Sequence, residues 1–239
     1  MSFLRSVLFT TPLIVLSTIV MDLISMVCSF FDRSGNSAHR VARFWGRTLM
    51  AVSFIRVRVE GLEKLDPAAN YVFVANHSSF MDIPAVLSRL PYQFRFFAKT
   101  GLYQIPFLGW HLRWAGHLPV DRSNARASLK SMSEAARRVA ERHVSMLLFP
   151  EGGRSHPEQG LREFKEGAVY IAIKAAVPVV PMALVGLRDL LPMGSGHIRS
   201  GTVTLRIGDP IATTGLRISD REELTARLHR EVSAMLGKY

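Results

Sequence analysis

The sequence predicts an α/β fold, a mostly parallel or mixed sheet with helices on its faces, preceded by an N-terminal membrane-associated helical segment. Three observations carry this. Residues 7–31 are almost continuously apolar, residues 38–54 have the pattern of an amphipathic helix, and from Ile55 onward short apolar runs alternate with stretches of helical period. At 239 residues the chain is long enough for one sizeable core. The boundary falls at Ile55: a membrane anchor and interfacial helix over 1–54, then an α/β domain over 55–239.

The first run is broken only by Pro12 and one charge, Asp22. About 20 apolar residues cross the ~30 Å hydrocarbon core, so this run is long enough to span it. It is too long for the apolar region of a signal peptide, and no small-residue cleavage site follows it. Pro12 and Asp22 leave open a helix pair or re-entrant segment that enters one leaflet only. Arg5 alone precedes the run, whereas Arg33, Arg40, Arg43 and Arg47 follow it. That bias predicts an inner-membrane protein whose main domain faces the cytoplasm. In residues 38–54, Val41, Phe44, Trp45, Thr48, Leu49 and Val52 fall on one side and the arginines on another. A helix lying against anionic headgroups has this pattern, and so does a helix packed on the domain.

Strands are expected at 55–59, 71–75, 94–98, 117–120, 145–149, 177–185 and 202–207, and helices at 83–89, 125–142, 166–176 and 220–236. Hydrophobic residues make up 48% and charged residues 21%, apolar for a soluble enzyme and too polar for a polytopic membrane protein. The net charge is +11, and only 6 of the 30 basic residues are lysine. Guanidinium forks suit phosphate oxygens, so the partner should be anionic. No basic run interleaved with aromatics, no Cys/His finger spacing and no RNP-like segment is present, which argues against nucleic acid and for an anionic membrane surface or a phosphorylated substrate. The single cysteine, Cys28, allows neither an intramolecular disulfide nor a thiolate metal site, and no metal is expected.

Two motifs stand at the ends of expected strands. Asn76-His77-Ser78-Ser79-Phe80-Met81-Asp82 follows the apolar run 71–75. In a regular helix positions five apart point about 140° from each other, so His77 and Asp82 meet only if the chain turns between them. Ser78 and Ser79, both natural N-caps, supply the turn. Asp82 would then fix one imidazole nitrogen and leave the other as a general base; an isolated motif of this kind is more often a capping cluster with an incidental histidine. Phe149-Pro150-Glu151-Gly152-Gly153-Arg154-Ser155 follows the run 145–149. Gly152 and Gly153 permit close approach of a ligand, Arg154 offers a fork for phosphate, and Glu151 can accept from ligand hydroxyls or hold an arginine. A plain Pro-Gly turn with solvated charges fits equally well.

With Gly116-His117-Leu118-Pro119-Val120-Asp121-Arg122 and Val177-Pro178-Val179-Val180-Pro181, these motifs make four ordered blocks. The set resembles the glycerolipid acyltransferases, the family that includes bacterial 1-acylglycerol-3-phosphate acyltransferases. Phe97-Ala98-Lys99, Ile105-Pro106-Phe107-Leu108-Gly109 and Phe164-Lys165-Glu166-Gly167-Ala168 also match, and the resemblance covers residues 55–210. One departure is Gly153, where the family commonly has Thr. The resemblance implies that His77 and Asp82 form the catalytic dyad. It implies that Lys99, Arg122, Glu151, Gly152 and Arg154 bind the acceptor's phosphate and glycerol, and that the fourth block serves the acyl donor or chain. Lys165 is basic and nearby, yet is as well explained as a solvated lysine at a helix start.

The implied reaction takes acyl-CoA or acyl carrier protein as donor and a lysophospholipid, 1-acyl-sn-glycerol-3-phosphate foremost, as acceptor. Another lyso-lipid or glycerol-3-phosphate is the alternative acceptor. No G-x-S-x-G elbow or catalytic cysteine is present, which points to direct transfer without an acyl-enzyme. No cofactor beyond the acyl carrier is expected. Two rivals remain at this stage: a lipase or thioesterase with Ser78 or Ser79 as nucleophile, and a non-catalytic lipid-binding module.

Overall fold

The structure, a computed structural model, describes residues 2–106, 108–121, 125–156, 158 and 160–237. The chain opens on a continuous helical rod: α1 (Ser2–Arg5), a π-helical turn (Ser6–Thr10) and α2 (Thr11–Phe31). The wide turn comes just ahead of Pro12, which has no N–H to donate and whose ring crowds the carbonyl four residues back. The Thr11 N–H donates instead to the Ser6 carbonyl. α3 (Asn36–Val52) runs back alongside α2. In the connection, Asp32 accepts from the Ser34 hydroxyl at 2.5 Å, the Ser37 N–H at 2.7 Å and the Ser34 N–H at 2.9 Å, and these bonds, the Ser34 hydroxyl first, hold its carboxyl well below the usual carboxylate range. Gly35 is left-handed at φ +78°, and a Cβ there would stand 2.8 Å from the Ala115 carbonyl oxygen.

Seven strands follow: β1 (Ile55–Glu60), β2 (Val72–Ala75), β3 (Phe94–Lys99), β4 (Leu118–Val120), β5 (Ser145–Leu148), β6 (Val179–Val185) and β7 (Gly201–Ile207). Between and after them come α4 (Asp82–Arg89), α5 (Leu108–Trp114), α6 (Ala125–Arg142), α7 (Gly167–Ala175), α8 (Leu187–Leu190) and α9 (Arg221–Leu236). Every expected strand and helix of this region is present. The short helices α5 and α8 have no periodicity to announce them in the sequence.

The sheet order is β1-β7-β6-β2-β5-β3-β4. The five strands from β6 to β4 are parallel, β7 is antiparallel to β6, and β1 is parallel to β7, so the sheet takes the mixed form. Phe73, Leu147 and Leu205 pack on one face in a core shared with α3 and α4. Val72, Met146 and Val179 pack on the other, in a core shared with α6, α7 and α9.

α3 settles its face differently from the simple apolar stripe. Ala38, Ala42, Gly46, Leu49 and Met50 are buried, while Phe44 remains 56% exposed. The small residues let the helix close on α4: a Cβ on Gly46 would lie 2.7 Å from the Pro84 carbonyl oxygen. Trp45 turns the other way and donates from Nε1 to Thr18 Oγ1 of α2 at 3.0 Å.

The helical rod from Ser2 to Phe31 is long and apolar enough to cross a membrane. It is nevertheless tied to the rest of the molecule along its length. Ser6 Oγ donates to the Ile198 carbonyl at 2.8 Å, Thr18 meets Trp45, and Ser25 Oγ lies 2.7 Å from His111 Nδ1. At 1.5 Å per residue these ties span about 28 Å of helix. The opposite side, with Leu16, Ile19, Leu23, Val27 and Phe30, is exposed. α2 therefore lies along the flank of the α/β unit as one arm of a helix pair.

Candidate active site

The parallel strands end at one edge of the sheet, where ligands of open α/β folds gather. β2 delivers Asn76 and His77 there, β5 the segment from Phe149 to Ser155, β3 Lys99, and β6 the turn into α8. Asn76 fixes the exit from β2. Its side-chain oxygen accepts from the Leu184 N–H at 2.7 Å and its amide donates to the Leu184 carbonyl at 3.1 Å, which mimics one more ladder pair.

Beyond Asn76 the chain turns as the sequence requires, and His77 Nδ1 meets Asp82 Oδ2 at 2.7 Å. Asp82 opens α4 and is completely buried. The same oxygen accepts from the N–H groups of Ser78 at 2.7 Å and Ser79 at 2.9 Å. Three donors on one carboxylate oxygen fix the tautomer: Nδ1 carries the proton and Nε2 keeps its lone pair. The imidazole, with its side chain 14% exposed, stacks on Phe149 with ring centroids 4.2 Å apart and planes at 19°.

Glu151 lies beneath the histidine and is only 1% exposed. Oε1 accepts from the His77 N–H at 2.6 Å and Oε2 from the Arg162 N–H at 3.1 Å. Burial pushes its carboxyl above the usual range, while these two bonds act in the opposite direction. Each oxygen thus accepts one backbone N–H, which fixes the carboxylate between the His77 and Arg162 peptides.

Gly152 is left-handed at φ +75°, and a Cβ there would stand 3.0 Å from Lys165 Cε. The left-handed backbone here favours glycine, and Lys165 crosses close over the turn. Arg154 lays its guanidinium over the exposed ring of Phe80, 3.5 Å from the centroid, within the loop that joins His77 to Asp82. The ring face holds the fork beside the dyad. Lys99 is exposed at the end of β3, on the far side of β5 from β2. Arg122, two residues beyond β4 in the sequence, lies outside the described residues.

The fourth sequence block sits elsewhere. Val177 to Pro181 enters β6 beside the start of β2 and runs along it, Val179 level with Val72 and Pro181 with Val74, and the later part of that strand reaches the dyad. Just past that end, Arg188 donates to Ser155 Oγ at 2.8 Å. Ser155 closes the second motif, but Arg188 does not stand out in the sequence. The only signal was a basic residue shortly after an apolar strand, the same kind of placement that marks Arg154. Among the described residues, no group of three or more His, Cys, Asp or Glu is arranged to hold a metal ion.

Residues 56–185 run from β1 through the His77 and Glu151 loops to the end of β6. They match the family model described as Acyltransferase, and the chain belongs to that family. In particular, it is 36% identical over 185 residues to a chloroplastic 1-acyl-sn-glycerol-3-phosphate acyltransferase of Brassica napus, covering 76% of this chain and 52% of that protein. A 1-acyl-sn-glycerol-3-phosphate acyltransferase of Chlamydomonas reinhardtii is 36% identical over 207 residues, 86% of this chain and 60% of that one. The chain thus spans about half the length of these curated relatives. A solved structure matches end to end: the 1-acyl-sn-glycerophosphate (LPA) acyltransferase PlsC of Thermotoga maritima has a TM-score of 0.81 and 28% identity, with 100% of this chain and 99% of that chain covered.

Proposed function

We propose that the protein transfers a fatty-acyl group from an acyl thioester, acyl-CoA or acyl carrier protein, to the free hydroxyl of 1-acyl-sn-glycerol-3-phosphate, giving phosphatidic acid. The observation that carries this is the 2.7 Å contact of His77 Nδ1 with Asp82, which leaves Nε2 as a base beside the guanidinium of Arg154. The names of the relatives support the choice of acceptor.

In this mechanism Nε2 removes the proton of the acceptor hydroxyl as its oxygen attacks the thioester carbonyl. Asp82 stabilises the imidazolium that forms. The tetrahedral intermediate collapses with loss of the thiolate, which takes the proton back from Nε2 and leaves as the thiol. Histidine returns to its starting tautomer, and no acyl group is ever bonded to the protein. A serine hydrolase is less well supported, because Ser79 is fully buried, its hydroxyl donates to the Leu191 carbonyl at 3.1 Å and accepts from the Met81 N–H at 3.3 Å.

The exposed apolar side of α2 would bed in one leaflet of the inner membrane, with the sheet edge on the cytoplasmic side. Acceptor and product are both lipids, and raising an acyl chain into water costs about 0.8 kcal/mol per CH₂. A docked site avoids most of that cost.

The test of function is release of free thiol from acyl-CoA and from acyl carrier protein by the purified protein in detergent. It is run with lysophosphatidic acid, glycerol-3-phosphate, another lyso-lipid or no acceptor. Turnover that needs lysophosphatidic acid is expected; equal thiol release without acceptor would make the protein a thioesterase. Arg154→Leu should raise the acceptor KM by roughly 10- to 100-fold, the equivalent of one or two charge-assisted hydrogen bonds, with a smaller change for the donor. A rise confined to the donor KM would assign Arg154 to the thioester's phosphates.

A further inference from the structure

His77 stands just past the last paired residue of β2, Ala75, so no strand ladder holds its peptide. Other groups do. Its N–H donates to Glu151 Oε1 at 2.6 Å. Its carbonyl accepts from the Ser155 N–H at 2.9 Å and from Ser155 Oγ at 3.3 Å. Ser155 Oγ in turn accepts from Arg188 Nη2 at 2.8 Å, and the same nitrogen donates to the Gly160 carbonyl at 3.4 Å. Glu151 and Ser155 are 1% and 2% exposed.

We infer that Glu151, Ser155 and Arg188 are positioning residues that act through the backbone of His77. Asp82 fixes one atom of the imidazole, and the direction of Nε2 then depends on where the His77 peptide lies. The three residues clamp that peptide at both of its polar groups. A displacement of about 1 Å in a reacting group can cost roughly 100-fold in rate, so the clamp bears on turnover without touching substrate. Glu151 suits its place because two N–H donors converge on it, and a carboxylate offers two acceptors and no donor. Its second bond, to Arg162, closes the loop that carries Arg154 under the same histidine. Arg188 lies outside all four sequence blocks and reaches His77 through the Ser155 hydroxyl.

The kinetic arm of the test rests on the acyl-transfer function proposed above; the spectroscopic arm does not. Full-length Glu151→Gln, Ser155→Ala, Arg188→Met and Arg188→Lys proteins are compared with wild type in detergent. Glu151→Gln keeps one acceptor but turns an NH₂ group toward the other donor. Glu151→Gln and Arg188→Met should each lower kcat about 10-fold or more while both KM values stay within about 3-fold, Ser155→Ala should lie in the same direction, and Arg188→Lys should recover most of the loss. In ¹⁵N-histidine spectra, with the His77 signals assigned by their loss in His77→Ala, wild type should show one sharp Nδ1–H tautomer that broadens in Glu151→Gln and Arg188→Met. An acceptor KM raised about 10-fold at unchanged kcat would overturn the inference and make these residues substrate ligands. An Arg188→Met protein with unchanged kcat and an unchanged His77 signal would overturn it as well. If wild type acylates no acceptor, the proposed function fails, and the His77 signal alone decides the positioning role.

Discussion

His77→Ala is expected to lower acyl transfer by about 10²- to 10⁴-fold, the usual contribution of an oriented base, with little change in either KM. The fold should survive, because the ring donates one bond to Asp82 and rests on Phe149 just past the adjacent strand β5, while the bonds of the His77 N–H and carbonyl do not depend on its side chain. Asp82 is a different case. It is completely buried and takes two further N–H donors from Ser78 and Ser79, so Asp82→Ala would leave three donors unanswered and unsettle the start of α4. Asp82→Asn is the cleaner probe. It keeps an oxygen for these donors and removes the charge that stabilises the imidazolium, and its loss of kcat should approach that of His77→Ala. Turnover by folded His77→Ala protein within about 3-fold of wild type would refute a histidine base.

What the sequence made legible follows from the range of each interaction. Strands such as β2 and β5 are continuous apolar runs buried on both faces, and the His77 to Asp82 turn is closed by neighbours within five residues. Both kinds of feature are local and can be read directly. The direction of β7 and β1 was not legible, since nothing in Gly201–Ile207 or Ile55–Glu60 distinguishes a parallel from an antiparallel neighbour. Nor was the docking of α2, which depends on Ser6 finding Ile198 and Ser25 finding His111. The backbone partners of Glu151 were not legible for the same reason: only the tertiary fold brings the His77 and Arg162 N–H groups to its carboxylate. The fourth block is apolar on both sides, so its sequence could not say which end of β6 faces the dyad.

Folding stability should fall steeply as pH drops below about 6.5, because burial disfavours the charged form of His39 and His117, which are fully buried, and of His111, which is partly so, at the junction of α3, α5 and β4. Burial, with Arg95 next in order, lowers His39 to about 3; burial lowers His111 to about 4; and burial, aided by His111, Arg95 and His39, holds His117 well below the ordinary value. His39 Nε2 donates to the Tyr92 carbonyl at 3.1 Å, which leaves Nδ1 bare, and His117 Nδ1 accepts from the Phe96 N–H at 3.2 Å, which puts its proton on Nε2. Arg95 and Arg43 act on His39 and Arg95 acts on His117, so an added proton meets repulsion. A histidine depressed in the folded state binds its proton more readily when unfolded. Its contribution to stability is therefore complete above the unfolded value near 6.5 and is lost as pH falls toward about 4 and 3. One such group contributes up to about 1.4 kcal/mol per pH unit in that window, against a total stability of roughly 5–15 kcal/mol. Glu151, raised by burial, works in the opposite direction but is a single group. Denaturant melts between pH 7.5 and 4.5 measure the slope. A double variant, His39→Gln with His117→Asn, keeps a donor near the position of Nε2 and an acceptor near that of Nδ1 and should remove about two-thirds of the slope. A wild-type curve that stays flat from pH 6.5 to 4.5 would show that these rings accept protons inside the fold and are not excluded from charge by burial.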